Sequence, residues 1–331
     1  MKYQLSISRN LKIIIGVLGG FLLALILIPV LFVMSAGAIT ENGELIKDTL
    51  QKVEIVPEIP FQITVYRTES GLFETMDFER YIIGVVAAEM PALFEMDALR
   101  AQAIAARTYA MRILQHDDYI LDTVMHQVFL DDTQLKARWE DDFDRHFATI
   151  EEAVVSTEGL LIVYEGQLIT PMFFAMSSGA TENSEDVFVG SRPYLRSVPS
   201  LGYESHPSFA QSVGFTLSDL RDAFYDETIS ESNVKIISHS VGGNVLTMMM
   251  GAKEVTGRDV REVLGLRSAA FSIEIVEGEG VIFTTYGHGH GVGMSQHGAN
   301  VMAQNGHSYL EILNHFYQSI ELIEKNYFLS E

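Results

Sequence analysis

"DFERYIIGVVAAEMPALFEMDALRAQAIAARTYAMRIL", Asp77 to Leu114, is the stretch on which the fold turns. Asp77 stands where a helix N-cap belongs, the almost wholly apolar run Ile82 to Ala88 follows, and Pro91 stops the segment. The residue before a proline avoids the helical region, so the first helix has to end there. Leu99, Ala103, Ala106, Ala110 and Ile113 then recur at spacings of 4, 3, 4 and 3, one face of a second helix. Its alanines allow a neighbouring element to pack closely.

Outward from this pair the pattern changes to strands. "FQITVYR" alternates Phe61, Ile63 and Val65. "LLIVYEGQLIT" reads as a hairpin with a Glu165-Gly166 turn, and "VKIISHSVGGNVLTMMM" as another around Gly242-Gly243-Asn244. "TGRDVREVLGL" is a short helix ending near Gly265, "FSIEIVEGEGVIFTTY" a third hairpin, and "SYLEILNHFYQ" a helix with a capping box of Ser308 and Glu311. Helices and hairpins alternate without a βαβ rhythm, and no repeat of 20–50 residues is visible, so the class is α+β.

The N-terminal segment is different in kind. The run Ile13 to Met34 carries no charge. At about 1.5 Å per residue it spans roughly the 30 Å hydrocarbon core as a helix. Lys2, Arg9 and Lys12 precede it, while Glu41, Glu44 and Asp48 follow. That bias puts residues 1–12 in the cytoplasm as a tail, makes 13–34 a single transmembrane anchor, and leaves the rest extracytoplasmic. Residues 35–60, with Pro57 and Pro60, form a linker, and 61–331 a single mixed helix and antiparallel-strand domain. A cleaved signal peptide is the alternative, since "SAGA" after the run resembles a cleavage site.

The chain has 331 residues, 22 of them basic and 44 acidic, for a net charge of −22. An excess of that sign argues against a nucleic-acid partner. There is no cysteine, which excludes disulfides, thiolate catalysis and cysteine-bound zinc.

"GHGHGVGMSQHGAN", Gly287 to Asn300, sets three histidines among alternating glycines. It fits neither a dinucleotide-binding loop nor a P-loop, since no G-x-G-x-x-G frame and no Lys-Ser/Thr follows. Read as a strand, Gly287, Gly289, Gly291 and Gly293 share a bare face that admits another backbone or a flat ligand. His288, His290, Val292 and Met294 share the other. A zinc site of His288, His290 and His297 is one reading, and a glycine-packed strand with hydrogen-bonding histidines the other.

Three stretches together carry a resemblance: Tyr81–Ala110, "FFAMSSGATENSEDVFVGSRPYLRSV" at 173–198, and the histidine-glycine segment. In this order and spacing they resemble the stage II sporulation protein D family of endospore-forming bacteria, from about Phe61 to the last helix. The resemblance implies a membrane-anchored lytic transglycosylase of the sporulation septum that needs no cofactor. Its substrate is the peptidoglycan glycan strand already stripped of stem peptides, and it works in engulfment with a stem-peptide amidase and a multipass membrane protein. It places the catalytic acid on Glu89 beside a substrate groove, and gives substrate-contact roles to Arg107, Ser177, Thr181, Tyr203, His288, His290, Gln296 and His297. Some relatives bind zinc through a site that uses cysteine, which this chain cannot reproduce; His126 and His146 flank that region, and no metal is expected. For Glu89 the residue reading agrees: a carboxyl closing an apolar helix is partly desolvated, and a negative charge is unfavourable at that end. Arg107 is otherwise a surface arginine with a buried stem. Rival readings are a hydrolase pairing Glu89 with Glu182, Glu185 or Asp186, a zinc-dependent wall amidase on the three histidines, and a non-catalytic wall-binding scaffold.

Overall fold

In the computed structural model, which describes residues 59–328, the opening stretch forms two consecutive helices. Helix α1, Phe78–Glu89, is capped by Asp77, whose side chain accepts from the Arg80 backbone N–H. Helix α2, Met96–Leu114, buries Leu99, Ala103, Ala106 and Ala110, as their spacing predicts. Burial does not stop at that face: Ala98, Ala101, Ala105 and Thr108 are also closed to solvent. The helix is therefore central, and its alanines face neighbours on every side.

Those neighbours come from both ends of the chain. Helix α3, Asp132–Trp139, leads into α4, Phe143–Val155, which packs on α1 and α2. After the one-turn α5, Ser184–Val187, helices α6, Leu217–Phe224, and α7, Gly257–Leu264, belong to a separate cluster. The last two helices, α8, Gln296–Gln304, and α9, Tyr309–Phe316, return to α2. The capping box of Ser308 and Glu311 opens α9, and Gly265, at φ 64°, ends α7.

The strands follow the same division. Strand β1, Ile59–Pro60, precedes β2, Gln62–Arg67, which lies between β3, Leu72–Asp77, and β4, Ile120–Leu121. Ile63 and Val65 are buried, but Phe61 is exposed. The hairpin of β5, Leu160–Tyr164, and β6, Gln167–Leu168, turns at Glu165 and Gly166, both with positive φ, as a two-residue turn requires. After β7, Phe173–Phe174, a sheet gathers β8, Ala210–Phe215. Next come β9, Val234–His239, β10, Val245–Met250, and β11, Lys253–Val255, which form an antiparallel sheet. Strands β12, Phe271–Val276, and β13, Gly280–Tyr286, complete the sheet with β8. Strand β14, Met294–Ser295, runs parallel to β7, while β15, Glu321–Glu324, joins β5 and β16, Tyr327–Phe328, pairs with β1.

Two hydrophobic cores result. The first runs from Ile59 to Leu195 and resumes from Val292 to Ile320. The second, from Leu220 to Phe283, is inserted between those halves. The mixed helix and strand class is as expected. The expected tail, anchor and residues 35–58 of the linker lie outside the described residues, among which no helix is long and apolar enough to cross a membrane.

The histidine-glycine segment is not the regular strand its alternation suggests. Gly287, Gly289, Gly291 and Gly293 have φ of 70°, 115°, 87° and 80°, so the backbone reverses hand at every second residue. The segment makes single bridges, His288 with Met176, Gly289 with Ser268 and Val292 with Glu182. The expected close approach is present, and what approaches is the chain itself. A Cβ on Gly293 would lie 2.0 Å from the Met172 carbonyl oxygen, and one on Gly287 2.4 Å from that of Met176. Only glycine combines that backbone with that contact.

Candidate active site

Glu89 is the last residue of α1, in a helix whose Ile82, Ile83, Val85 and Val86 are buried. Burial raises its carboxyl above the ordinary glutamate range; a hydrogen bond from the Val128 backbone and the charge of Arg138 pull the other way. Arg138 also donates to the carbonyls of Ala87 and Ala88, at 3.2 and 3.1 Å, satisfying acceptors that the helix end leaves open. The side chain keeps partial exposure, so a carboxyl whose pKa is raised by burial is presented at the end of an apolar helix.

The loop that leaves Glu89 leads to the histidine-glycine segment. The Glu95 backbone N–H donates to Asn300 Oδ1 of α8 at 2.8 Å, and the Phe94 ring meets the His297 ring edge-on at 5.1 Å. His297 lies 6.1 Å from the Tyr203 ring and 4.9 Å from that of His206. Burial, and secondarily the nearby His206, lowers its pKa to about 4, so it is a neutral imidazole near pH 7. Tyr203 is buried, with its hydroxyl 2.5 Å from Ser177 Oγ and 2.8 Å from Ser200 Oγ. The structure thus brings together the Glu89 exit loop, His297, Tyr203 and Ser177. Phe94 and His206 were not singled out in the sequence; both lie in loops with no periodicity to mark them.

The other expected contacts sit elsewhere. Arg107 is wholly buried, which corrects the surface-arginine reading and leaves it no face toward a groove. Its guanidinium donates twice to Glu79, both at 2.7 Å, and once to the Val154 carbonyl. Thr181 is also buried, its hydroxyl donating to the Arg196 carbonyl and accepting from Val198 N–H. Gln296 is buried with its amide 3.5 Å from that of Gln102.

The three histidines diverge. His288 is exposed beside Arg267, its Nδ1 3.3 Å from the guanidinium. His290 packs between Phe174 and Phe188, and its Nδ1 accepts from Val292 N–H. Burial, reinforced by Arg261, brings its pKa to about 4. His297 faces Phe94. Among the described residues no group of three or more His, Asp or Glu is placed to hold a metal ion. His126 accepts from the Leu121 N–H, and His146 stacks edge-on against Trp139.

The carboxylates considered as partners for Glu89 are engaged with other groups. Arg196 holds Glu185 in a two-pronged pair that lowers its pKa to about 2. Asp186 accepts from the Asn183 amide. Glu182 is buried, one oxygen accepting from Asn244 N–H and the other without a hydrogen-bond partner among the described residues.

A family model described as "Stage II sporulation protein" matches residues 66–164, the helical half of the first core that carries Glu89. The chain is 35% identical to Stage II sporulation protein D of Bacillus amyloliquefaciens, over 97% of this chain and 98% of that one. Against Stage II sporulation protein D of Bacillus subtilis (strain 168) it is 36% identical, over 93% and 94%. The chain belongs to the stage II sporulation protein D family. It is also 28% identical to the Amidase enhancer of Bacillus subtilis (strain 168), over 72% of this chain and 40% of that protein.

Proposed function

We propose that this protein is a lytic transglycosylase that cuts peptidoglycan glycan strands stripped of stem peptides, with Glu89 as its acid. The observation that carries the reading is Glu89 itself: a partly exposed carboxyl, raised by burial at the end of an apolar helix, beside a loop that leads to His297 and Tyr203. Glu89 gives its proton to the glycosidic oxygen as the C1–O bond breaks, and the ring passes through an oxocarbenium-like state. The sugar's own 6-hydroxyl attacks C1 and returns its proton to Glu89. The products are a free 4-hydroxyl end and a 1,6-anhydro end, and no water is consumed. One carboxyl suffices, in keeping with the engagement of Glu182, Glu185 and Asp186 elsewhere. Neutral His297 supplies an uncharged imidazole suited to sugar hydroxyls, with the buried Tyr203–Ser177 hydroxyl pair beside it.

In this proposal residues 13–34 anchor the chain in the cell membrane by a single pass. Residues 61–331 form the catalytic domain on the outer side, where they act in engulfment beside a stem-peptide amidase and a multipass membrane protein. A second reading, a non-catalytic wall-binding scaffold, is favoured by the relative named Amidase enhancer. Mass analysis of products from stripped peptidoglycan decides between them. The full-length protein alone should release 1,6-anhydro ends; reducing ends would mean hydrolysis, and no cleavage would leave the scaffold.

A further inference from the structure

Ser177 and Ser178 are adjacent but face two different places. Ser177 belongs to the Tyr203 hydroxyl network of the candidate active site. Ser178 donates to the Gly242 carbonyl and lines a cavity of about 250 Å³ at the edge of the second core. Its other walls include His239, Gly243, Ser272 and Tyr286, over Phe271. Among the described residues no Asp, Glu, Lys or Arg lines it, in a chain whose net charge is −22. It is smaller than the roughly 300–1,000 Å³ of a drug-sized pocket.

Rings connect the two places. From Phe94, beside the Glu89 exit loop, His297 follows at 5.1 Å and Tyr203 at 6.1 Å. Phe209 lies 6.3 Å beyond Tyr203, and Tyr286 of the cavity 6.1 Å beyond Phe209. Hydroxyls, an imidazole and open glycine backbone around an aromatic ring select a neutral, polyhydroxylated ligand. A fixed charge would find no counter-charge in those walls.

We propose that this cavity is a distal saccharide subsite, binding one N-acetylhexosamine unit of the glycan strand whose scission point lies at Glu89. The inference rests on the glycan reading of the active site. It gives the second core a role in the reaction, which is to hold a long strand in register while the first core cuts it. Tyr286 offers a ring face, and Ser178, Ser272 and His239 offer donors and acceptors to ring substituents.

The test is binding of peptide-free glycan strands of two lengths, a disaccharide and an octasaccharide, to full-length protein carrying Glu89→Gln to stop turnover. Tyr286→Ala should lower the ratio of octasaccharide to disaccharide affinity about tenfold, the equivalent of 1.4 kcal/mol. Ser272→Glu, at an exposed strand position that carries little risk to folding, should lower the same ratio by placing a charge in the neutral cavity. An unchanged ratio in both variants, with unaltered thermal midpoints, overturns the subsite and leaves the glycan reading standing. Protein with the distal walls intact that binds neither length overturns both.

Discussion

Glu89 ends a helix of the first core, while Glu182 lies where the segment 172–182 meets the turn between β9 and β10. Burial pushes both carboxyls above the ordinary glutamate range, and for both it is the leading cause. Their surroundings differ. Glu89 keeps an open side and a cation, Arg138, that draws its pKa back down. Glu182 is only 1% exposed, and a Cβ on Gly242 would come within 2.5 Å of its carboxyl. A raised pKa is thus a consequence of burial and does not by itself mark an acid catalyst. Access separates the two: the Glu89 carboxyl is open enough to meet another molecule, and that of Glu182 is sealed in.

The largest expected effect comes from the frame that holds Glu89. Arg107 ties α2 to Glu79 of α1 inside the core, so Arg107→Ala leaves a half-buried carboxylate without its cation. Loss of one partner of a buried pair costs about 3–5 kcal/mol, and urea unfolding should show it. Arg107→Lys should restore only part, because a lysine cannot reproduce the two-pronged contact. Unchanged stability with weaker glycan binding would return Arg107 to the role of a substrate contact.

Next is Glu89→Gln, with an expected loss of at least about a hundredfold in rate and no change in fold. Because burial raises the Glu89 pKa, the acid form persists above the ordinary glutamate range. Activity should fall as pH rises through the raised value. A rate independent of pH there, or full activity in the variant, would place the acid elsewhere.

The smallest effect belongs to Glu182→Gln. Activity should stay within a few-fold, and the readout is stability against pH. A carboxyl whose folded pKa is raised contributes stability fully below the unfolded value and loses it as pH climbs through the folded one. Wild-type protein should therefore lose stability relative to Glu182→Gln over that range. Parallel profiles would mean that the Glu182 carboxyl titrates in the native protein as it does in the unfolded chain.

What the sequence made legible was local. The Asp77 cap, the Ser308–Glu311 box and the turns at Glu165-Gly166 and Gly242–Asn244 depend on residues within a few positions, and each is found where the sequence puts it. Helices α3 and α4 went unmarked because their outer faces are polar and only a few residues, such as Leu135, Ile150 and Val154, are buried. The burial of Arg107 depends on Glu79, 28 residues away, which no periodicity reveals. The histidine-glycine segment misled because alternating glycines imitate the period of a strand while permitting a backbone that no strand has. For the candidate site, Glu89 was legible as a carboxyl closing an apolar helix. The ring path through Phe94, His297 and Tyr203 was not, since it joins three distant loops.

The insertion of the second core between the halves of the first has a consequence for how the protein comes into being. Helix α2 is enclosed by α8 and α9, and β1 pairs with β16, so the first core needs residues from both ends of the described chain. In the second core β9 pairs with β10 and β12 with β13 across short turns, and only the addition of β8 to β13 spans a long stretch of chain. Closing short loops costs less entropy than closing long ones, so local contacts form sooner. The order of folding should run opposite to the order of synthesis: the inserted hairpins first, the helices that carry and frame Glu89 last. Pulse-labelled hydrogen exchange should find β12 and β13 protected before α2, and the reverse order would show that α1, α2 and α4 assemble without their C-terminal cover. On this route Glu89 reaches its desolvated setting only in the final step, so the acid role proposed for it becomes available only when the rest of the molecule is complete.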